Sequence, residues 1–470
     1  MSLDEQSENF APLHEMRLNG AYEEIQQLYL SDDRPWIVGY SGGKDSTAAL
    51  QFVWTAISKL PKKNRKKTVY VITSDTLVEN PIVLTRIHKS VNNLRDAARK
   101  QKLPFQIDIV QPEVTQSFWV NLIGRGYAAP TRSFRWCTDR LKIRPTSKFI
   151  EEKIAYHGEV IIILGVRRGE SATRDQVMSL RRTKQMHLFS HATFSGAYVY
   201  APIRDFSLED VWGYLLQQKS PWNDDNYQLL SMYRNAQDGE CPLVVDKSTP
   251  SCGNTRFGCW VCTLVSSDRS MENLIDKGED WMDDLLEIRD YLHDTTEPAK
   301  KHIYRDYKRR NGRVYFKTHD PGTIARGPYY FEVSQKILKN VLLAQRTLIE
   351  NGAQFRTITE PELHEIRRLW RSERNDWQDS LPKIYRDVFG EDLDWKKEDI
   401  VTFKASDEST LEEICVEYGV PLDLTKKMID LEAVSQGLSR RTSIIKSIDR
   451  VFSEEWRSEE EILDAIREGP

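Results

Sequence analysis

The chain predicts an α/β fold, a parallel sheet with helices on both faces, over its first ~220 residues. Two observations carry that prediction. Apolar runs of strand length alternate with longer helical patterns, the arrangement of chains that build parallel sheets. The apolar run Trp36–Tyr40 also passes directly into Ser41-Gly42-Gly43-Lys44-Asp45-Ser46, and the helical pattern Ser46–Trp54 opens from there. After this part come an irregular cysteine-rich stretch (223–267) and a highly charged, mainly helical remainder.

In chain order, strands are expected at Trp36–Tyr40, Thr68–Thr73, Phe105–Val110 and Glu159–Gly165, with helices at Ile82–Lys102 and Thr146–Ala155. Beyond the cysteines, Met271–His293, Phe331–Asn351 and Pro361–Arg374 read as amphipathic helices. Thr410–Trp456 reads as several short helices broken at Tyr418-Gly419-Val420-Pro421. The expected organisation is an α/β domain over 1–222, a cysteine-rich segment packed on it over 223–267, a helical and partly basic region over 268–400, and a small helical domain over 401–470.

A chain of 470 residues, 39% hydrophobic, is long enough for two or three domains with real cores. Its net charge of −4 argues against wholesale nucleic-acid binding, so any polyanion site must be a local patch. The start, Met1–Gln6, is acidic and lacks a basic-then-apolar pattern, and the apolar run Val160–Leu164 is strand length rather than the ~20 residues of a membrane helix. A soluble, cytoplasmic protein with no membrane partner is expected. Six cysteines in such a chain point to metal or catalysis before a disulfide scaffold.

The loop is the strongest local signal. Two adjacent glycines let backbone N–H groups approach an anion at a helix N-terminus that already favours negative charge. Lys44 adds a point charge, and Ser41 and Ser46 add hydroxyls. The spacing is not that of a Walker A loop, whose glycines have four residues between them. An ordinary Ser/Gly/Asp surface turn fits poorly between a buried-type strand and an apolar helix.

Ligands on such sheets bind beyond the carboxyl ends of the strands. The second strand ends in Ser74-Asp75-Thr76 and runs on to Glu79-Asn80-Pro81; the fourth ends in Gly165-Val166-Arg167-Arg168-Gly169-Glu170-Ser171. Asp75 is a candidate for a ribose hydroxyl or Mg²⁺, or else a turn or cap residue. Arg167 is a candidate for bidentate phosphate contact, with a solvated Arg167–Arg168 pair as the alternative.

Four cysteines, Cys241, Cys252, Cys259 and Cys262, fall within 22 residues at C-x10-C-x6-C-x2-C spacing. With no histidine in the segment the ligand set would be all sulfur, which suits zinc or an iron–sulfur cluster equally. Cys137 stands apart beside Arg135, Arg140 and Lys142, cations that would favour its thiolate. Cys415, on an apolar helical phase, is expected in a core. Two basic runs are candidates for nucleic-acid contact: Lys300–Arg313, interleaved with Tyr304 and Tyr307, and the weaker Lys62–Lys67. Either run could equally be a solvated face.

Together the Ser41–Ser46 loop, Cys137 with Lys142 and Pro145, and Gly165-x-Arg167-x-x-Glu170-Ser171 with Arg174 resemble the phosphoadenosine-phosphosulfate (PAPS) reductase-like branch of the N-type ATP pyrophosphatases. Pro202-Ile203-Arg204-Asp205-Phe206-Ser207 through Trp212 is similar to that family's segment after its last core strand. The resemblance covers about residues 30–265 and implies a sheet of adenine-nucleotide alpha-hydrolase-like (HUP) type, with 1–222 as the pyrophosphatase domain.

Within the branch, Asp75-Thr76-Leu77-Val78-Glu79-Asn80-Pro81, Cys241–Asp246 and Ser251–Cys262 resemble the DndC/SspD-type sulfurtransferases of DNA phosphorothioation. That likeness implies ATP, Mg²⁺ and a [4Fe-4S] cluster as cofactors. The implied partners are DNA, a cysteine desulfurase as sulfur donor, and further phosphorothioation proteins of DndD/DndE or SspB/SspC type. By resemblance, ATP adenylates a DNA phosphate and a persulfide or cluster sulfur replaces a non-bridging oxygen. Ser41, Gly42, Gly43, Lys44, Asp45, Ser46, Asp75, Thr76, Gly165, Arg167 and Glu170 would hold the nucleotide. Lys44, Asp45, Cys137, Lys142 and Arg167 would carry the chemistry. Cys241, Cys252, Cys259 and Cys262 would hold the metal, with Cys137 as alternative ligand or as persulfide carrier.

The chain departs from the sulfate reductases in lacking their C-terminal Glu-Cys-Gly-type cysteine, and it has Trp136-Cys137 where cluster-bearing reductases have a Cys-Cys pair. A tRNA thiolation enzyme, a PAPS-type reductase and a non-catalytic iron–sulfur scaffold are the alternatives.

Overall fold

The computed structural model describes residues 15–168, 187–236, 258–353, 355–395, 403, 405–435 and 442–468. Two compact units share the chain. The first takes 1–112, 138–260 and 268–278, and the second takes 113–137, 261–267 and 279–470.

The first unit is built on a six-stranded sheet of order β3-β2-β1-β4-β6-β5. Its strands are β1 (Trp36–Gly39), β2 (Val69–Ser74), β3 (Phe105–Val110), β4 (Val160–Ile163), β5 (Phe189–Ser190) and β6 (Ala197–Tyr200). All neighbours pair parallel except β5, an antiparallel edge on β6. The four strands expected from sequence are present within two residues at either end. β5 escaped the sequence reading because a two-residue strand carries too little periodicity, and β6 was not read either.

Side chains alternate across β1, β2 and β4 and are buried on both faces. Trp36, Val38, Val69, Val71, Ile161 and Ile163 enter one core, and Ile37, Tyr70, Ile72, Val160 and Ile162 enter the other. Helices α1 (Glu15–Leu30), α2 (Lys44–Lys59) and α3 (Pro81–Gln101) contribute to the first core. On the second lies α4 (Arg144–His157), through Phe149, Ile150 and Ile154. Pro81 at the start of α3 wastes no hydrogen bond, and Asn80 caps that helix by accepting from the Ile82 N–H at 3.1 Å. The unit continues through α5 (Leu208–Gln217), α6 (Asn226–Ala236) and α7 (Arg269–Ile275).

Met271–His293, expected as one helix, is two, Arg269–Ile275 and Asp283–Asp294. Gly278 between them sits at φ 100°, outside helical space. The second unit packs the long helix Phe331–Glu350 against Ser380–Phe389 and Glu360–Glu373 against Val120–Gly124. Two indoles bind it internally: Trp119 Nε1 donates to the Thr357 carbonyl at 2.7 Å and Trp370 Nε1 to that of Ile123 at 3.0 Å. Ala405–Tyr418, Leu422–Ser435 and Thr442–Phe452 are the expected short helices, Glu459–Glu468 follows beyond the expected stretch, and Gly419 at φ 66° ends the first. Cys415 is buried, as expected. Among the described residues no helix is long and apolar enough to cross a membrane.

Candidate functional site: a glycine loop at the switch point of the sheet

β2 and β3 lie to one side of β1, and β4 and β6 to the other, so the strand order reverses between β1 and β4. That reversal opens a crevice beyond the carboxyl ends of the two strands, because their connections leave in opposite directions. The Ser41–Ser46 loop leaves β1 there, and Gly165–Arg168 leaves β4.

The loop is internally braced. Gly42 takes a left-handed turn at φ 72°, a conformation that favours glycine. The Ser46 hydroxyl donates to the Gly43 carbonyl at 3.0 Å and accepts from the Ser41 N–H at 3.2 Å. With that proton committed, the Ser41 hydroxyl donates to Ser46 across 3.0 Å. Gly43 precedes α2 in an extended conformation and, lacking a side chain, gives the helix no cap of its own, which suits a first turn that could meet an anion. A Cβ on Gly165 would stand 2.5 Å from the Asp45 carbonyl oxygen, so only glycine lets the β4 loop come this close.

The charges of the two loops interlock. Asp45 accepts from Arg167 Nε at 2.7 Å through Oδ1, and its Oδ2 pairs with Lys44 Nζ at 2.9 Å. The Arg167 side chain is only 11% exposed, so its guanidinium is held rather than solvated. Tyr233 on α6 closes the far side: its hydroxyl accepts from the Lys44 N–H at 3.3 Å, and its ring lies 5.3 Å from Lys44 Nζ. Arg86 on α3 donates to the Gly42 carbonyl at 3.3 Å. Neither Tyr233 nor Arg86 stood out in the sequence, since each lies in an ordinary helical pattern far from the loop.

Asp75 follows β2 and is 5% exposed. It accepts from the Leu77 N–H at 2.9 Å and from Gln111 Nε2 at 2.9 Å. Of its two expected readings, the turn residue is the one these contacts describe. Thr76 donates to Glu79 at 3.0 Å and lies 3.5 Å from Cys259 Sγ. Lys142, expected among the residues that carry the chemistry, pairs with Glu79 at 3.1 Å.

The cysteine strand is sewn onto this same edge. Glu79 and Cys259 form an antiparallel bridge, the Asn80 N–H donates to the Gly258 carbonyl at 3.1 Å, and the Trp260 N–H to that of Val78 at 3.0 Å. Cys259 and Cys262 are half-buried thiols outside any disulfide, and Cys262 offers its carbonyl to the buried Arg289 at 3.0 Å. Cys137, also a half-buried thiol, immediately precedes a π-wound segment, Thr138–Ile143, and follows Trp136, whose indole donates to the Ala128 carbonyl at 3.0 Å. Glu170, Cys241 and Cys252 lie outside the described residues, as do Ser171 and Arg174. Among the described residues no three metal-binding side chains converge. Cys259 and Cys262 each suit a thiolate ligand, being outside any disulfide and at Cys-x-x-Cys spacing about a turn.

The basic runs are largely committed to structure. Lys67 is buried against Asp32 at 3.0 Å, and Arg65 donates to the Leu60 and Ser58 carbonyls. In the second unit, Arg305 serves the Gly327 and Arg326 carbonyls, Arg310 pairs with Glu373 at 3.0 Å, and Lys300 pairs with Asp294. Lys308 sits over the rings of Tyr307 and Trp456.

Residues 35–265 match the family model described as the phosphoadenosine phosphosulfate reductase domain. An uncharacterized protein of Methanocaldococcus jannaschii is 29% identical over 199 residues, 42% of this chain and 35% of that protein, so the match spans about a third of its length. Three solved structures are similar at low TM-scores. The PAPS reductase of Candida auris is 14% identical, covering 46% of this chain and 91% of that one (TM-score 0.28). The U34-tRNA thiolase NcsA of Methanococcus maripaludis, solved with its [4Fe-4S] cluster, is 12% identical, covering 48% and 75% (0.25). The NH3-dependent NAD synthetase of Campylobacter jejuni is 12% identical, covering 62% and 97% (0.27). That family match, over just under half of the chain, takes in the sheet, its switch-point loop and the Cys259–Cys262 turn.

Proposed function

We propose that this protein is an ATP-dependent sulfurtransferase that puts sulfur into the DNA backbone. The observation that supports it best is the thiol of Cys259, 3.5 Å from Thr76 on the loop that follows β2, next to the strand whose loop suits a nucleotide phosphate. A site that only hydrolysed or bound ATP would need no thiol there.

The chemistry starts from a phosphodiester whose oxygen is too poor a leaving group to be displaced. A non-bridging oxygen of DNA attacks the α-phosphorus of ATP, and the bond to the β-phosphate oxygen breaks to release pyrophosphate. The Ser41–Ser46 backbone and Lys44 would hold that pyrophosphate, and Mg²⁺, with Asp75 as a candidate ligand, would offset its charge. Binding of the triphosphate would draw Lys44 and Arg167 off Asp45 and onto phosphate oxygens. A terminal persulfide sulfur, supplied by a cysteine desulfurase and carried on Cys137, then attacks the adenylated phosphorus and expels AMP. A second thiolate cleaves the remaining S–S bond, leaving a phosphorothioate on DNA and a protein disulfide. An iron–sulfur cluster would be held by Cys259 and Cys262 with Cys241 and Cys252, and would supply a thiophilic metal site for sulfide.

The test is a reconstitution with anaerobically purified protein, ATP, Mg²⁺, cysteine, a desulfurase and duplex DNA. Expected products are AMP, pyrophosphate and, after nuclease digestion, a phosphorothioate-linked dinucleotide identified by mass. Sulfur found in a tRNA base instead, or sulfite formed from activated sulfate, would overturn the reading.

A further inference from the structure

The basic run singled out in the sequence leads into a hairpin that carried no signal of its own there. Strands β7 (Phe316–Lys317) and β8 (Asp320–Ile324) pair antiparallel, with a register shift at Phe316/Lys317. Beside them a pocket of about 640 Å³ is lined by Arg309, Asn311, Tyr315, Phe316, Lys317 and His319, among others.

Three features distinguish this pocket from a solvated charged face. Its aromatic rings are open to solvent, Tyr315 at 45% and Phe316 at 38% exposure, with Ile303 nearby in sequence at 57%. Its cations are uncommitted: among the described residues no carboxylate pairs with Arg309 or Lys317, whereas Lys300, Arg305, Arg310 and Arg326 all have partners. Asp320, opposite Lys317 in the register, instead accepts from the Thr323 hydroxyl. The frame is also braced. The Arg309 N–H donates to the Arg313 carbonyl at 2.8 Å, Gly312 turns at φ 74°, and Asn311 Nδ2 donates to the Tyr315 hydroxyl at 2.9 Å. Local positive charge registers on Lys301, whose ammonium is pushed below its ordinary value by burial and further by Arg305 and Lys317.

We infer that this hairpin pocket binds a short unpaired stretch of nucleic acid, with bases stacking on Tyr315 and Phe316 and phosphates meeting Arg309 and Lys317. Exposed aromatic rings interleaved with uncommitted cations match what single strands offer, a π-face on every base and a phosphate beside it. A duplex hides those faces. The inference deepens the reading of a nucleic-acid substrate and rests on it, because a sulfurtransferase acting on a backbone phosphate must hold the strand that carries it.

The experiment measures fluorescence anisotropy with labelled 12-mers, as single-stranded DNA, single-stranded RNA and duplex DNA, on the full chain. Single strands are expected to bind more tightly than duplex. Phe316→Ala is expected to weaken single-strand binding about tenfold, and Phe316→Trp to restore it. Arg309→Gln with Lys317→Gln should flatten the salt dependence, lowering the log–log slope by roughly 0.7 for each phosphate no longer neutralised. An unchanged melting temperature in each variant separates binding from folding. Preference for duplex, variants that bind like wild type, or equal competition by an acidic peptide would each overturn the inference. The arms also separate it from the sulfurtransferase reading: RNA held over DNA keeps the pocket and sinks a DNA substrate, while phosphorothioate formed normally by Phe316→Ala keeps the enzyme and sinks the pocket.

Discussion

Arg167 reaches across the switch point of the sheet to Asp45, Nε to Oδ1 at 2.7 Å, joining two loops that lie 122 residues apart in the chain. The pair ties the arginine of the β4 loop to the first turn of α2, which the Gly42-Gly43 turn starts. Asp45 meanwhile holds Lys44, so all three charges are preset around one point.

The first prediction concerns that point. Lys44→Ala should lower ATP–pyrophosphate exchange by about 100-fold, because a preorganised cation on the departing pyrophosphate is lost. Asp45→Asn should cost less, about tenfold, since it loosens Arg167 and Lys44 without removing either. Exchange rates at saturating ATP check both, and an undiminished rate in Lys44→Ala would remove the loop from catalysis.

The second tests the close approach of the β4 loop. Gly165→Ala should impair ATP binding strongly, because its Cβ would sit 2.5 Å from the Asp45 carbonyl oxygen and 2.7 Å from the Ser46 nitrogen. Gly39→Ala, whose Cβ would find its nearest neighbour at 3.6 Å, should be nearly neutral. Calorimetric titration with a non-hydrolysable ATP analogue compares the two.

A third prediction addresses the thiols. Cys259→Ser and Cys262→Ser should each abolish absorption near ~400 nm and deplete iron and sulfide in anaerobically purified protein. Cys415→Ser, a buried core position, should leave the spectrum intact. Stoichiometric zinc without sulfide in wild type would make the cysteines a structural clip.

The fourth is a pH dependence of stability. Burial alone would raise the Asp32 carboxyl, but hydrogen bonds from Arg34 and Lys67 outweigh it and hold the group below its ordinary 3.8. A carboxyl depressed by folding binds fewer protons in the native state than unfolded. Its stabilisation is therefore complete above about pH 4 and is lost as pH falls through the folded value. Asp32→Asn should cost about 3 kcal/mol at pH 7, because it leaves the buried Lys67 ammonium uncompensated. Urea unfolding at pH 7 and pH 2 should show that deficit shrinking at the acid end.

Much of the first unit was legible because its signals are local. Four strands announced themselves as short apolar runs, and Ser41–Ser46 as a turn between a strand and a helix. Gly165 and Arg167 read correctly as residues of a strand end. Partnership was not legible: nothing local marks Glu79 as the partner of Lys142, and most of the basic run is spent on carbonyls, rings and carboxylates of its own unit. Charge in a sequence has a sign but no address.

By itself, then, the sequence determined the α/β class, the loop that suits an anion, and the thiol-rich stretch, all of which depend on residue order over a few positions. The tertiary structure alone decided that β1 and β4 are neighbours, that Asp45 meets Arg167, that Cys259 lies against Thr76, and that Tyr233 closes over Lys44. Those relationships come from strand order and helix packing. They join residues separated by 122 to 189 positions, across which local periodicity carries no information.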